Sequence, residues 1–212
     1  MKIPLDRPLL ALLPGSRIGE IERHARLFWE TAAWCWARKP DLQVALPFVH
    51  ADLAARFQGL RGDLAPHLPL TLTANSHDVL EAADVVLTAS GTATLEALLF
   101  QKPMVVAYRL HPVTYHLAKQ LRLVKVPYIA MANLLADAPL APEFIQDACH
   151  PEAMGKALSQ FFDDPEGCAV LARRYGEIHQ ILRRDASTQA AAEVLALIRE
   201  RQSHHPGLKA GA

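Results

Sequence analysis

Short apolar runs alternate along this chain with segments of helical period. Leu9–Leu13 is unbroken apolar sequence of strand length. After Pro14, Gly15, Ser16 and Arg17 comes a segment, 18–38, in which Ile21, Ala25, Phe28, Ala32 and Cys35 recur at spacings of three and four. That is the spacing of one helix face, and Pro40 and Asp41 end it. The alternation then repeats. Strands are predicted over 43–49, 68–74, 84–90 and 102–109, the third of these nearly continuous in apolar residues. Helices are predicted over 51–58, over 76–83 with Ser76 as N-cap, and over 91–100 and 112–123. "VPYIAMAN", 126–133, reads as extended. Three further helices are predicted over 151–163, 166–183 and 187–201, followed by a frayed tail.

Strands separated by helices cannot pair as hairpins, so the pattern implies a parallel sheet with helices on both faces. Strands covered on both faces need no polar alternation, which fits their composition. The fold class is therefore α/β, Rossmann-like, with one domain over 1–201 that includes the C-terminal helices and a flexible tail over 202–212. In such sheets ligands lie beyond the carboxyl ends of the strands. Each strand-to-helix turn is thus a candidate site.

Composition narrows the function classes. The chain has 212 residues, 51% of them hydrophobic, enough for a sizeable core. Its 22 basic and 22 acidic residues cancel, so no global field draws it to nucleic acid. Cys35, Cys149 and Cys168 are far apart and odd in number, without metal-ligand or redox spacing, as expected in a reducing compartment. No apolar stretch reaches the roughly 20 residues of a membrane span, and prolines break the apolar start. A cytoplasmic protein is expected.

Two turns carry chemistry suited to phosphate. Gly15, Ser16 and Arg17 sit between a strand and a helix, where backbone N–H groups are free and the helix dipole is positive. Arginine adds a fork for phosphate oxygens. Taken alone, an ordinary capped turn with a surface arginine is the simpler reading. The second turn, "TASGTATLE", repeats the arrangement with Ser90, Gly91, Thr92 and Thr94, and Glu96 follows four residues after Thr92. Small residues let a ligand lie against the backbone, and a carboxylate suits two ribose hydroxyls. In a third segment Asn133 closes the extended run, and Glu143 and Gln146 would share a helix face. These fit sugar or base recognition, but taken alone capping and surface polarity are the simpler reading.

Other features are less specific. His111 and His116 flank a basic amphipathic segment with Arg109, Lys119, Arg122 and Lys125, a candidate for peripheral contact with an anionic membrane. A helix with one core face and one solvated face is the plainer account. His204 and His205 lie in the tail. Trp29 and Trp36 can share a face of the first helix, whereas Trp34 points elsewhere and marks a candidate partner surface, compatible with a homodimer.

Together "LLPGSRIGEI", "LTASGTATLEALLFQKPMVVAYRLHPVTYHLAKQL" and "VPYIAMANLLADAPLAPEFIQ" resemble lipid-A-disaccharide synthase, in order and spacing, from about Leu9 to Ile198. The resemblance covers the C-terminal half of that family's usual length. It implies one Rossmann-like half of a GT-B glycosyltransferase, the half that binds the nucleotide sugar. The implied donor is UDP-2,3-diacylglucosamine and the implied lipid acceptor is 2,3-diacylglucosamine 1-phosphate. The products would be a β-1,6 disaccharide and UDP, with no cofactor and no bound metal. The family's N-terminal acceptor domain would supply the lipid site and the acidic base, and the full enzyme would work at the cytoplasmic face of the inner membrane. Carried over by position, Gly15, Ser16 and Arg17 match the family's "PGSR" loop, with Arg17 as the leaving-group contact. Ser90, Gly91, Thr92 and Thr94 match its second loop, and Glu96 its ribose acid. Asn133 matches the "PN" asparagine, and Glu143 and Gln146 the "E-x-x-Q" pair. Two positions depart: Ala132 stands where the family has proline, and Asp137 where it has glycine. No recognisable loop of this chain offers a base for the acceptor hydroxyl. Another UDP-sugar enzyme, such as an epimerase or a different glycosyltransferase, and a non-catalytic nucleotide-binding module are the competing readings.

Overall fold

The computed structural model describes residues 6–48, 50–110, 127–183, 189 and 191–198. The chain forms two compact units, 1–178 and 179–212. The first is a six-stranded sheet, parallel throughout, in the order β3-β2-β1-β4-β5-β6. Its strands are β1 (Leu9–Leu13), β2 (Gln43–Pro47), β3 (Leu70–Thr73), β4 (Val85–Ala89), β5 (Met104–Tyr108) and β6 (Glu143–Ile145). Between them lie α1 (Ile18–Trp36), α2 (Ala51–Arg61), α3 (Ser76–Ala82), α4 (Thr92–Leu99) and α5 (Met131–Ala136). A short 3-10 turn, Gln146–Ala148, leads to α6 (Pro151–Asp163) and α7 (Pro165–Leu182). Within the second unit, residues 191–198 are helical, with Val194, Leu195, Leu197 and Ile198 exposed.

The central strands β1, β4 and β5 read as nearly unbroken apolar runs because each supplies two cores. Leu10 and Leu12 point to one side and pack with Val44, Leu46, Val85, Leu87 and the buried faces of α1, α2 and α6. Leu9, Ala11 and Leu13 point to the other and pack with Ala45, Val86, Met104, Val106 and residues of α3, α4 and α7. Side chains alternate with a period of two, so a covered strand needs apolar residues at every position. Burying a leucine side chain contributes about 1.5–3 kcal/mol.

Most predicted elements lie within three residues of the observed ones, but four details differ. The N-cap of α3 is Asn75, not Ser76: Asn75 Oδ1 accepts from the His77 N–H at 3.0 Å, and Ser76 is already helical. "MANLLA" is helical rather than extended, so Asn133 sits inside α5. Its neighbours Met, Leu and Ala are good helix formers, and Glu143 caps the helix from across the chain. Glu143 and Gln146 do not share a helix face, because Glu143 is in β6 and Gln146 opens the 3-10 turn with φ +52°. Trp34 faces α6, where a methyl added to Gly155 would strike its ring, and Arg38 stacks on it at 3.5 Å. That packing, rather than a free partner surface, accounts for its orientation. The predicted helix over 112–123, with His111, His116, Lys119, Arg122 and Lys125, lies outside the described residues, as do His204, His205 and the 202–212 tail.

Among the described residues no helix is long and apolar enough to cross a membrane. The three cysteines are free thiols. Burial pushes the Cys35 thiol up to about 12 and raises Cys149 as well, so both are inert core residues.

Candidate functional site

The strand order reverses between β1 and β4, which pair in parallel with Leu13 beside Thr88. Connections leave these two strands in opposite directions, so a crevice opens at their carboxyl ends. The turns that end them, Gly15–Arg17 and Ser90–Thr92, face each other across it. The crevice holds about 390 Å³, within the range of small-ligand sites. Gly15, Ser16, Arg17 and Glu20 line it from one turn, and Ser90, Gly91, Thr92 and Glu96 from the other. Pro47, Phe48 and Leu53 add an apolar wall.

Both glycines are required by backbone conformation. Gly15 has φ +121° and Gly91 φ +133°, which side chains rarely tolerate. A Cβ on Gly15 would also collide with the Glu20 side chain, whereas the space over Gly91 is open. A ligand can therefore lie directly against the Gly91 backbone at the head of α4.

At the head of α1 the N-cap is Arg17, with extended backbone. Arginine has no acceptor, so it cannot cap with its own side chain. Glu20 does so instead: its Oε2 accepts from the N–H groups of Ser16 at 2.9 Å and Arg17 at 3.3 Å. Arg17 Nη1 stands 3.6 Å from Glu20 Oε1, and the guanidinium is 84% exposed, at the rim of the crevice. Across the crevice the Glu96 carboxylate makes no hydrogen bond or ion pair with the described residues and remains free to accept from a ligand.

The other sequence candidates are turned inward. Ser90 Oγ donates to the Ile129 carbonyl at 3.0 Å. Thr94 is fully buried; its Oγ1 donates to the Gly91 carbonyl at 2.8 Å and accepts from the Met131 N–H at 3.0 Å. It thus ties the second turn to the start of α5. Glu143 accepts from the N–H groups of Ile129 and Ala130 and from Asn133 Nδ2, so a protein carboxylate already occupies the positive end of α5. Asn133 is 1% exposed and also clasps Ala141 through both its N–H and its C=O. Gln146 Oε1 accepts from the Leu110 N–H at 2.9 Å. Thr94, Asn133, Glu143 and Gln146 do not line the crevice; the first three form the frame behind the second turn, and Gln146 is tied to Leu110 beyond β5. Ala132 lies in the first turn of α5, a position where proline is also accepted. Asp137 ends α5 in the left-handed conformation, φ +48°, where glycine would be less strained.

Two residues were missed in the sequence. Glu20 could have been found: a Glu at the third position of a helix is the second half of a capping box. His24 gives no such signal, because its role depends on a distant partner. It is fully buried; its Nδ1 lies 2.9 Å from the Glu20 carbonyl, and its Nε2 accepts from the Arg109 N–H at 3.0 Å. It fastens the head of α1 to the end of β5.

Against known proteins, the family model described as lipid-A-disaccharide synthetase matches residues 1–194. The lipid-A-disaccharide synthase of Pseudomonas fluorescens (strain SBW25) is 47% identical over 198 residues, covering 93% of this chain and 50% of that protein. That of Alkalilimnicola ehrlichii is 46% identical, covering 89% of this chain and 49% of that protein. The chain thus spans about half the length of the curated relatives it matches. Among solved structures, the spinosyn rhamnosyltransferase SpnG superposes with a TM-score of 0.60 at 14% identity, over 91% of this chain and 46% of that one. That likeness concerns the fold alone, a Rossmann-like parallel sheet with helices on both faces.

Proposed function

This chain belongs to the lipid-A-disaccharide synthetase family, and on that premise we propose that it is the donor-binding half of such an enzyme. The donor would be UDP-2,3-diacylglucosamine and the acceptor 2,3-diacylglucosamine 1-phosphate. The observation that carries the reading is the meeting, at one topological switch point, of two glycine turns and a Glu96 without a partner among the described residues. The diphosphate would lie between the head of α1, with Arg17, and the head of α4, with Gly91 and Thr92. The ribose hydroxyls would donate to Glu96. Thr94, Asn133 and Glu143 would act by holding the second turn in place.

In the transfer, the acceptor's 6-hydroxyl oxygen attacks the anomeric carbon of the donor. The bond from that carbon to the phosphate oxygen breaks and UDP leaves with the electron pair. Negative charge grows on the diphosphate as it departs, and on this reading the Arg17 guanidinium and the two helix N-termini would stabilise it there. The hydroxyl proton needs a base, which this reading assigns, with the lipid site, to the acceptor half of the enzyme. The 212-residue chain alone is therefore expected to bind UDP and to form no disaccharide; synthesis by the purified chain would refute the division of labour. For the diphosphate position, UDP is titrated calorimetrically against wild type and Arg17→Ala. Loss of a charged hydrogen bond should weaken UDP by about 1.5–3 kcal/mol, roughly tenfold or more, and leave uridine unaffected. Equal UDP affinities would remove Arg17 from the site.

A further inference from the structure

Three groups of the first turn that could meet a diphosphate, the Ser16 and Arg17 N–H groups and the Arg17 guanidinium, already meet a carboxylate of the same chain. Glu20 folds back from the first turn of α1. Its two oxygens face the N–H groups of Ser16 and Arg17 and the Arg17 guanidinium. Its side chain is only 18% exposed, yet it forms part of the crevice wall. The second turn is different: Gly91 faces open space, and Glu96 has no partner among the described residues. A carboxylate held by two backbone N–H groups and a guanidinium makes the contacts that two phosphate oxygens would make there. The two anions cannot hold the same donors at once.

We propose that Glu20 is a resident competitor at the diphosphate site, so that a phosphorylated ligand seats by exchange with it. The carboxylate leaves Ser16 and Arg17, and phosphate oxygens take its place. When the ligand departs, Glu20 closes the cap again. This rests on placing the UDP diphosphate at the first turn. Its consequence is a tuned affinity. Binding gains only the difference between phosphate and carboxylate at these donors, and return of Glu20 speeds product release. Uridine, lacking phosphate, is indifferent to the exchange.

A purely structural cap makes the opposite demand on Glu20→Gln. The amide keeps the shape of the side chain and one acceptor oxygen but removes the charge. Exchange requires that Glu20→Gln bind UDP and inorganic pyrophosphate about three- to tenfold more tightly than wild type, with uridine unchanged. Unchanged or weaker pyrophosphate binding by a variant whose thermal unfolding matches wild type overturns the exchange. Should the variant not fold, the wild-type Glu20 carboxyl ¹³C resonance decides. Exchange moves it as pyrophosphate is added, and a stationary resonance overturns the proposal. If pyrophosphate gives both responses and UDP neither, exchange stands and the uridine diphosphate assignment falls.

Discussion

Replacing Asn133 by alanine is expected to lower the stability of the chain by about 2–4 kcal/mol before any ligand is added. The side chain sits in the interior at 1% exposure and makes three bonds of 2.8 Å. Nδ2 donates to the Ala141 carbonyl and to Glu143 Oε1, and Oδ1 accepts from the Ala141 N–H. Alanine leaves both polar groups of Ala141 without their partner in a place water does not reach. Each orphaned buried group costs about 1–3 kcal/mol. In a domain of this size the melting temperature should fall by about 5–15 °C. Asn133→Asp should fare no better, because it loses both donors and sets a second carboxylate against Glu143. UDP affinity should fall with it only through loosening of the frame behind the second turn. The measurement is thermal unfolding of the ligand-free chain. A variant that melts like wild type yet no longer binds UDP would make Asn133 a direct ligand contact instead.

What the sequence disclosed and what it withheld follow from the range of the interactions involved. Hydrophobic period is a local property, so β1, α1 and the two glycine turns were readable from a dozen residues each. Strand order was not local, yet the alternation of strands and helices limited it to parallel arrangements, and the switch point then followed as the place to seek a site. In the third segment the sequence is silent for one reason. Asn133, Glu143 and Gln146 are polar residues whose partners lie 8 to 36 residues away. In sequence, a polar side chain destined to satisfy buried backbone looks the same as one that faces a ligand. Only the fold separates Glu96, which lines the crevice without a partner among the described residues, from Glu143, whose oxygens are spent on the head of α5. "MANLLA" was misread for a related reason: a six-residue helix has little periodicity, and its N-terminal anchor is supplied by β6. Glu20 falls between these cases, since its capping pattern was local and visible. The consequence, an anion already seated at the turn, needed coordinates.

The stability of the chain should fall as pH drops from about 6.5 to about 4, and His24 should account for a large share of the fall. Burial is the main reason its imidazole titrates near 4 rather than 6.5, and the neighbouring Arg23 pushes in the same direction. The Glu20 and Pro14 carbonyls and the Glu20 carboxylate oppose this without reversing it. The hydrogen bonds agree with a neutral ring: Nδ1–H donates to the Glu20 carbonyl, and Nε2 accepts from the Arg109 N–H. A second proton on Nε2 would point at that N–H and abolish the bond, between the rings of Phe28 and Tyr108. The unfolded chain takes up this proton below pH 6.5, whereas the folded chain resists until about 4. The unfolded state thus binds more protons in that window, and stability is lost as pH falls through it. Above 6.5 both states are neutral and the penalty vanishes; below 4 it has reached its full size, about 3 kcal/mol from a shift of this extent. His24→Gln keeps a donor and an acceptor but cannot titrate. Its denaturant-unfolding free energy, measured from pH 7.5 to 4, should decline by about 3 kcal/mol less than that of wild type, whatever its starting value. Every other ionisable group is common to both proteins, so the difference between the two curves belongs to His24. Parallel curves would show that the ring enters the folded state with its proton. Because the folded ring stays neutral through this window, its bonds to the Glu20 carbonyl and the Arg109 N–H should persist there and loosen only as pH approaches 4.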